Sequence, residues 1–134
     1  MPERRVVAHL LASTGVTGLA STRIKPLRMR VADAMPAITY TVIDKVCENT
    51  STGYDESGTM RIQIDCWATT YASAKALAYQ VRKSLSGWGE SSTGTRVSRC
   101  HLQSEQDMAA DLDEGGDDGV HAVQLDFICD TFTT

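Results

Sequence analysis

Residues 60–88 read MRIQIDCWATTYASAKALAYQVRKSLSGW, and the apolar period changes partway along them. From Met60 to Trp67 it is two residues: Met60, Ile62, Ile64 and Cys66 fall on one face of a strand, Arg61, Gln63, Asp65 and Trp67 on the other. Only the first face is suited to a core. From Ala74 the apolar positions recur at threes and fours through Leu77, Ala78, Val81 and Leu85, the stripe of an amphipathic helix. Thr69 or Thr70 is placed to cap that helix and Gly87 to end it. Its alanines let it lie close on a sheet, because a small side chain keeps the two backbones near and loses almost no rotamer freedom on burial. A strand passing directly into such a helix predicts an α+β fold.

Working outward, residues 3–13 set Val6, Val7, Leu10 and Leu11 at helical spacing, with Gly15 and Gly18 expected to stop that helix. Residues 19–36, interrupted by Pro26 and Pro36, read as an irregular or partly extended connector. AITYTVI, residues 37–43, alternates β-branched and aromatic residues and reads as a strand. The turn-forming residues of DKVCENTSTGYDESGT, 44–59, predict a long hairpin loop. Two more strands are expected at 96–103 and 120–130, the second with Val123, Leu125, Phe127 and Cys129 facing inward, and residues 104–119 form a second, acidic loop between them. The prediction is one domain over residues 1–134: a mixed or antiparallel sheet of about four strands, helices on one face, order αββαββ.

Composition bounds the function. With 134 residues, 42% of them hydrophobic and 22% charged, the chain fits a globular domain with its own core. No apolar run nears the roughly 20 residues of a membrane helix, so no membrane partner is expected. Glu3 and His9 interrupt the one N-terminal stretch that resembles a secretory leader. The four cysteines, at 47, 66, 100 and 129, form neither a CxxC pair nor a zinc spacing and read as buried free thiols in a reducing cytoplasm.

Chemistry finds no foothold. His9, His101 and His121 have no nucleophile or metal signature beside them. Asp65 and Cys66, as strand neighbours, point to opposite faces and cannot converge with His101. The acidic run SEQDMAADLDEGGDDG, 104–119, lacks the frame of a calcium loop, and its Gly115-Gly116 sits among carboxylates that repel phosphate. Catalytic residues, cofactor and metal are all expected to be absent.

Charge is distributed unevenly. The net value is −4, yet residues 1–30 hold six Arg or Lys (4, 5, 23, 25, 28, 30) and one acid, whereas residues 105–130 hold nine acids (105, 107, 111, 113, 114, 117, 118, 126, 130) and neither Arg nor Lys. The cluster Arg23, Lys25, Arg28 and Arg30 contains no aromatic residue for stacking, and the acidic total argues against tight nucleic-acid binding. Such polarity suits head-to-tail contact between copies, which closes into a ring when the rotation allows.

Taken in order, the N-terminal helix, GLASTRIKP (18–26), MPAITYTVI (35–43), RIQIDCWATTYASAKALAYQVRKSLSGW (61–88) and HAVQLDFIC (121–129) resemble the tail completion family of long-tailed bacteriophages and prophages, also called tail terminator or head-to-tail joining proteins. The resemblance spans residues 3–129, and its most specific part is Gln63, Asp65 and Trp67 followed by the alanine-rich helix.

What the resemblance implies is a non-enzymatic virion protein. It would assemble in the bacterial host cytoplasm as a ring, expected to be a hexamer, at the head-proximal end of the tail. Its partners would be further copies of itself, the tail tube protein and the head-tail connector or head-closure protein, with DNA passing through the lumen without sequence-specific binding. For the contact between copies the expectation sets Arg23, Lys25, Arg28 and Arg30 of one copy against Asp111, Asp113, Glu114, Asp117 and Asp118 of the next. Two rival readings are another head-tail connector or head-closure protein, and a small cytoplasmic α+β enzyme or ligand-binding domain, which would require a pocket with converging polar groups.

Overall fold

The computed structural model describes residues 2–20, 23–26, 36–50, 53–90, 96–110 and 120–132. These form helices α1 (Pro2–Ala12), α2 (Thr14–Ala20) and α3 (Tyr71–Leu85) and strands β1 (Ile24–Pro26), β2 (Ala37–Thr50), β3 (Gly53–Ala68), β4 (Arg96–Ala110) and β5 (Val120–Phe132). The strands make one mixed sheet in the order β1-β2-β3-β5-β4, antiparallel except where β1 runs parallel to β2. The fold is α+β, as expected.

The quoted segment behaves as its two periods dictate. Met60, Ile62, Ile64 and Cys66 of β3 are fully buried beside Val123, Leu125, Phe127 and Cys129 of β5. Ala74, Leu77, Ala78, Val81 and Leu85 bury the stripe of α3 against them. Thr70 is the cap, its Oγ1 accepting from the Ser73 amide at 3.2 Å, and Gly87 ends the helix at φ +77°, the left-handed conformation that glycine adopts without a Cβ clash. Val6 and Leu10 of α1 and Val16 and Ala20 of α2 join the same core, so all three helices share one face of the sheet.

Four expectations are corrected. The strand count is five rather than about four, and the order of elements is ααβββαββ. First, the connector at 19–36 contains β1, too short to show a period, whose Ile24 and Lys25 pair with Ile38 and Thr39. Second, Gly15 and Gly18 do not stop a helix. The break falls at Ser13, and α2 runs through both glycines because Val16 and Ala20 gain burial, which offsets the roughly 1 kcal/mol that each glycine costs a helix. A Cβ at Gly15 would meet only the end of the Gln80 side chain of α3, which can move aside.

Third, the stretch 44–59 is not a loop. Except for residues 51–52, which lie outside the described residues, it is strand: Asp44↔Arg61, Lys45↔Met60, Val46↔Thr59 and Cys47↔Gly58 continue the β2–β3 ladder through two irregularities, as far as Thr50↔Gly53. Beyond Gly58, which pairs with Thr131, the hairpin extends past β5. Fourth, residues 104–110 of the expected acidic loop extend β4, while 111–119 lie outside the described residues.

The outer edge of β4 is partly lined by the chain leaving α3. The Gly87 amide donates to the Cys100 carbonyl at 2.8 Å, the Cys100 amide to Trp88 at 2.7 Å, and the Glu90 amide to Val97 at 2.8 Å. Arg5 then clamps α1 to this strip through Glu90, at 2.9 Å.

Candidate assembly surfaces

The three histidines are dispersed. His9 stacks on Trp88 and its Nε2 lies 3.0 Å from the Ser84 carbonyl, His101 is exposed on β4, and His121 meets Tyr71 edge-on. Among the described residues no three His, Cys, Asp or Glu side chains converge as a metal site, and no helix is long and apolar enough to cross a membrane. A depression of about 470 Å³ lies where α2 meets α3, bounded by Ser13, Thr14, Gly15, Gln80, Lys83 and Ser84. Its two serines are engaged with each other, Oγ to Oγ at 2.6 Å, leaving Lys83 as its one charged lining group.

The sheet face opposite the helices is more informative. The residues of β3 that alternate away from the core engage in polar contacts. Trp67 Nε1 donates to Thr39 Oγ1 at 2.9 Å, Gln63 Nε2 donates to both Asp65 oxygens at 3.3 and 3.2 Å, and Arg61 and Ser104 donate to Asp126 Oδ2 at 3.3 and 3.2 Å. Thr39, Asp65 and Asp126 are buried on this face, and the second Asp126 oxygen has no hydrogen-bond partner. Burial raises the Asp65 carboxyl above its ordinary value, the Gln63 hydrogen bond opposes that, and the nearby Asp126 charge adds to it. This is a preorganised polar surface, rigid because its members sit on paired strands.

The charge asymmetry of the sequence can be placed only through the residues that flank its two clusters. Register puts Ile38↔Cys66, Ala68↔His121 and Ala110↔Val120 at one common end of the strands. Arg23 and Lys25 therefore stand at that end on the β1 edge, and Ala110 and Val120, the described residues on either side of 111–119, stand at the same end on the β4 side. Of the residues expected at a contact between copies, Arg28, Arg30, Asp111, Asp113, Glu114, Asp117 and Asp118 lie outside the described residues. Arg23 is described, and it is engaged within the chain: Nε donates to the Pro36 carbonyl at 2.7 Å and Nη2 to that of Leu19 at 3.4 Å, tying the end of α2 to the start of β2. Lys25 is half-buried on β1.

One cluster was missed. Glu105 and Asp107, read as part of a loop with no basic residue of its own, sit on β4 and meet bases from α3: Lys75 lies 2.6 Å from Asp107 and 3.6 Å from Glu105, and Arg82 lies 3.7 Å from Glu105. The Tyr71 hydroxyl donates to Asp107 at 2.8 Å. The signal was present, since Glu105 and Asp107 are two apart, as on one strand face, and Lys75 and Arg82 seven apart, as on one helix face.

A family model described as tail completion protein gp17 matches residues 4–129. Among solved structures, a chain of the "Virion of native gene transfer agent (GTA) particle" is 18% identical, covers 95% of this chain and 91% of its own length, and superposes with a TM-score of 0.70. That level of identity speaks to the fold. No curated protein sequence matches.

Proposed function

The chain belongs to the tail completion protein gp17 family and is a structural component of a bacteriophage-type virion, and from that premise we propose that it closes the tail tube and joins it to the head. It does so as a ring of identical copies, expected to number six, at the head-proximal end of the tail. The copies assemble in the host cytoplasm and meet the tube protein on one side and the connector or head-closure protein on the other.

The observation that supports this reading is the position of the described residues that flank those segments: Lys25 lies on the β1 edge, and Ala110 and Val120 lie on the β4 side of the sheet at the same end of its strands. Opposite charges on opposite edges attract head to tail, and a heterologous contact repeated with a fixed rotation makes a ring. In this reading Arg28 and Arg30, with Lys25 and Arg23 behind them, meet Asp111, Asp113, Glu114, Asp117 and Asp118 of the next copy. Each copy adds a net −4, and where that acidic surplus faces the lumen it repels phosphate and lets DNA slide; acidic segments found on the outer rim of the ring would remove this part of the reading.

The test is charge reversal. Arg28→Glu with Arg30→Glu should lower the sedimentation coefficient of the assembly, the more so as salt falls and repulsion is less screened. Adding Asp111→Lys and Asp113→Lys should restore it. An assembly that the first pair leaves unchanged at every ionic strength excludes this contact.

A further inference from the structure

Cys100 and Cys129 face each other directly across β4 and β5. Both main-chain groups of Cys100 bond away from β5, the amide to Trp88 and the carbonyl from Gly87. In an antiparallel ladder a residue turns both groups to the same side, so Cys100 and Cys129 form a non-hydrogen-bonded pair. Such pairs bring their Cα atoms to about 4.5 Å, the closest approach in a sheet, with both side chains on one face. A disulfide needs a Cα separation of roughly 4.4–6.8 Å. Here the shared face is the core face, where both thiols are free and fully buried and Cys100 is hydrogen-bonded to Cys129. No other cysteine is so placed: Cys66 lies between Ile38 and Val123, and Cys47 opposite Gly58.

We propose that Cys100 and Cys129 are a dithiol site, reduced while the chain assembles and converted to a cross-strand disulfide once the particle meets small-molecule disulfides outside a reducing cell. In the reaction, a thiolate of one cysteine attacks the small disulfide, forming a mixed disulfide and releasing one thiol. The second cysteine then attacks the protein-side sulfur and releases the other. Two protein thiols are oxidised, one small disulfide is reduced to two thiols, and no atom is unaccounted for.

The hydrogen bond to Cys129 and then burial hold the Cys100 thiol above its ordinary value, and both cysteines are fully buried, so the closed fold does not react. Exchange proceeds from an opened state in which the strip at 87–90 has left the edge of β4. The consequence is mechanical. The bond staples β4 to β5 near the start of β4, where the strip at 87–90 lines its edge.

Oxidised glutathione is the probe. Intact protein is incubated with it, remaining thiols are alkylated, and the digest is read by mass spectrometry. The expected result is a mass lower by two hydrogens, a peptide joining Cys100 to Cys129, and a melting temperature raised by several degrees that dithiothreitol reverses. Cys100→Ser and Cys129→Ser should each abolish the rise. The proposal is overturned by a mixed glutathione adduct that persists at either position, by a cross-link to Cys47 or Cys66, or by unreacted thiols under conditions where hydrogen exchange shows the β4–β5 amides opening.

Discussion

The indole of Trp88 lies against the imidazole of His9, ring centroids 4.2 Å apart and planes 18° from parallel. The stack joins α1 to the chain leaving α3, and the Trp88 carbonyl carries the junction on to β4 through the Cys100 amide. One residue thus holds three elements together.

Removing it should be costly. Trp88→Ala is expected to destabilise the fold by about 2 kcal/mol, less than a fully buried tryptophan because Trp88 is half-buried. Trp88→Phe, which keeps a ring against His9, should retain most of that. Urea midpoints at unchanged m-value measure both; an alanine variant as stable as the parent would show that the stack does not contribute.

Two glycines predict opposite signs. Gly87 holds φ +77°, so Gly87→Ala should cost about 1–2 kcal/mol through backbone strain alone, since a Cβ there meets nothing. Gly18 lies in α2 with open space around it, and Gly18→Ala should stabilise by about 0.5–1 kcal/mol by restricting the unfolded chain and favouring the helix. Thermal melts of the two variants should move in opposite directions.

The pH response divides by location. Asp65, raised chiefly by burial, holds its proton more tightly in the fold than in the unfolded chain, so between its ordinary and its raised value stability falls as pH rises. Asp65→Asn should therefore melt higher than the parent at neutral pH, and the difference should shrink as pH drops through that window. Asp107 is held below its ordinary value by hydrogen bonds from Lys75 and then Tyr71. Its contribution is present above the ordinary carboxylate value and is lost as pH falls through the lowered one. Asp107→Asn should remove that contribution, and because the pair is exposed the loss should fade in high salt. Equal melting of Asp65→Asn and the parent at neutral pH would contradict the assignment.

How far the fold was legible follows from where local and distant forces agree. In residues 60–88 the two-residue period, the threonine cap, the three-and-four spacing and the terminal glycine all point one way, and each is realised. Asp44 to Cys47 and Gly58 to Thr59 carry turn-forming composition, but pairing across the β2–β3 ladder outweighs local preference, as it commonly does in sheets. Gly15 reads as a helix stop until the burial of Val16 and Ala20 is known to carry α2 through it. The charge asymmetry was plain in the sequence. That Lys25 and the residues flanking 111–119 fall on opposite sides of the sheet was not, because it depends on β5 inserting between β3 and β4, a non-local event. The contacts of Lys75 and Arg82 with Glu105 were hidden for the same reason.

The most direct test of the account is to image the purified protein mixed with tail tubes built from the tube protein of the same particle, and separately with tailless capsids. The account predicts a ring, six-fold in projection, seated on one end of each tube and stopping its growth, with capsids left bare. Bare tube ends together with density on the capsid vertex would contradict it.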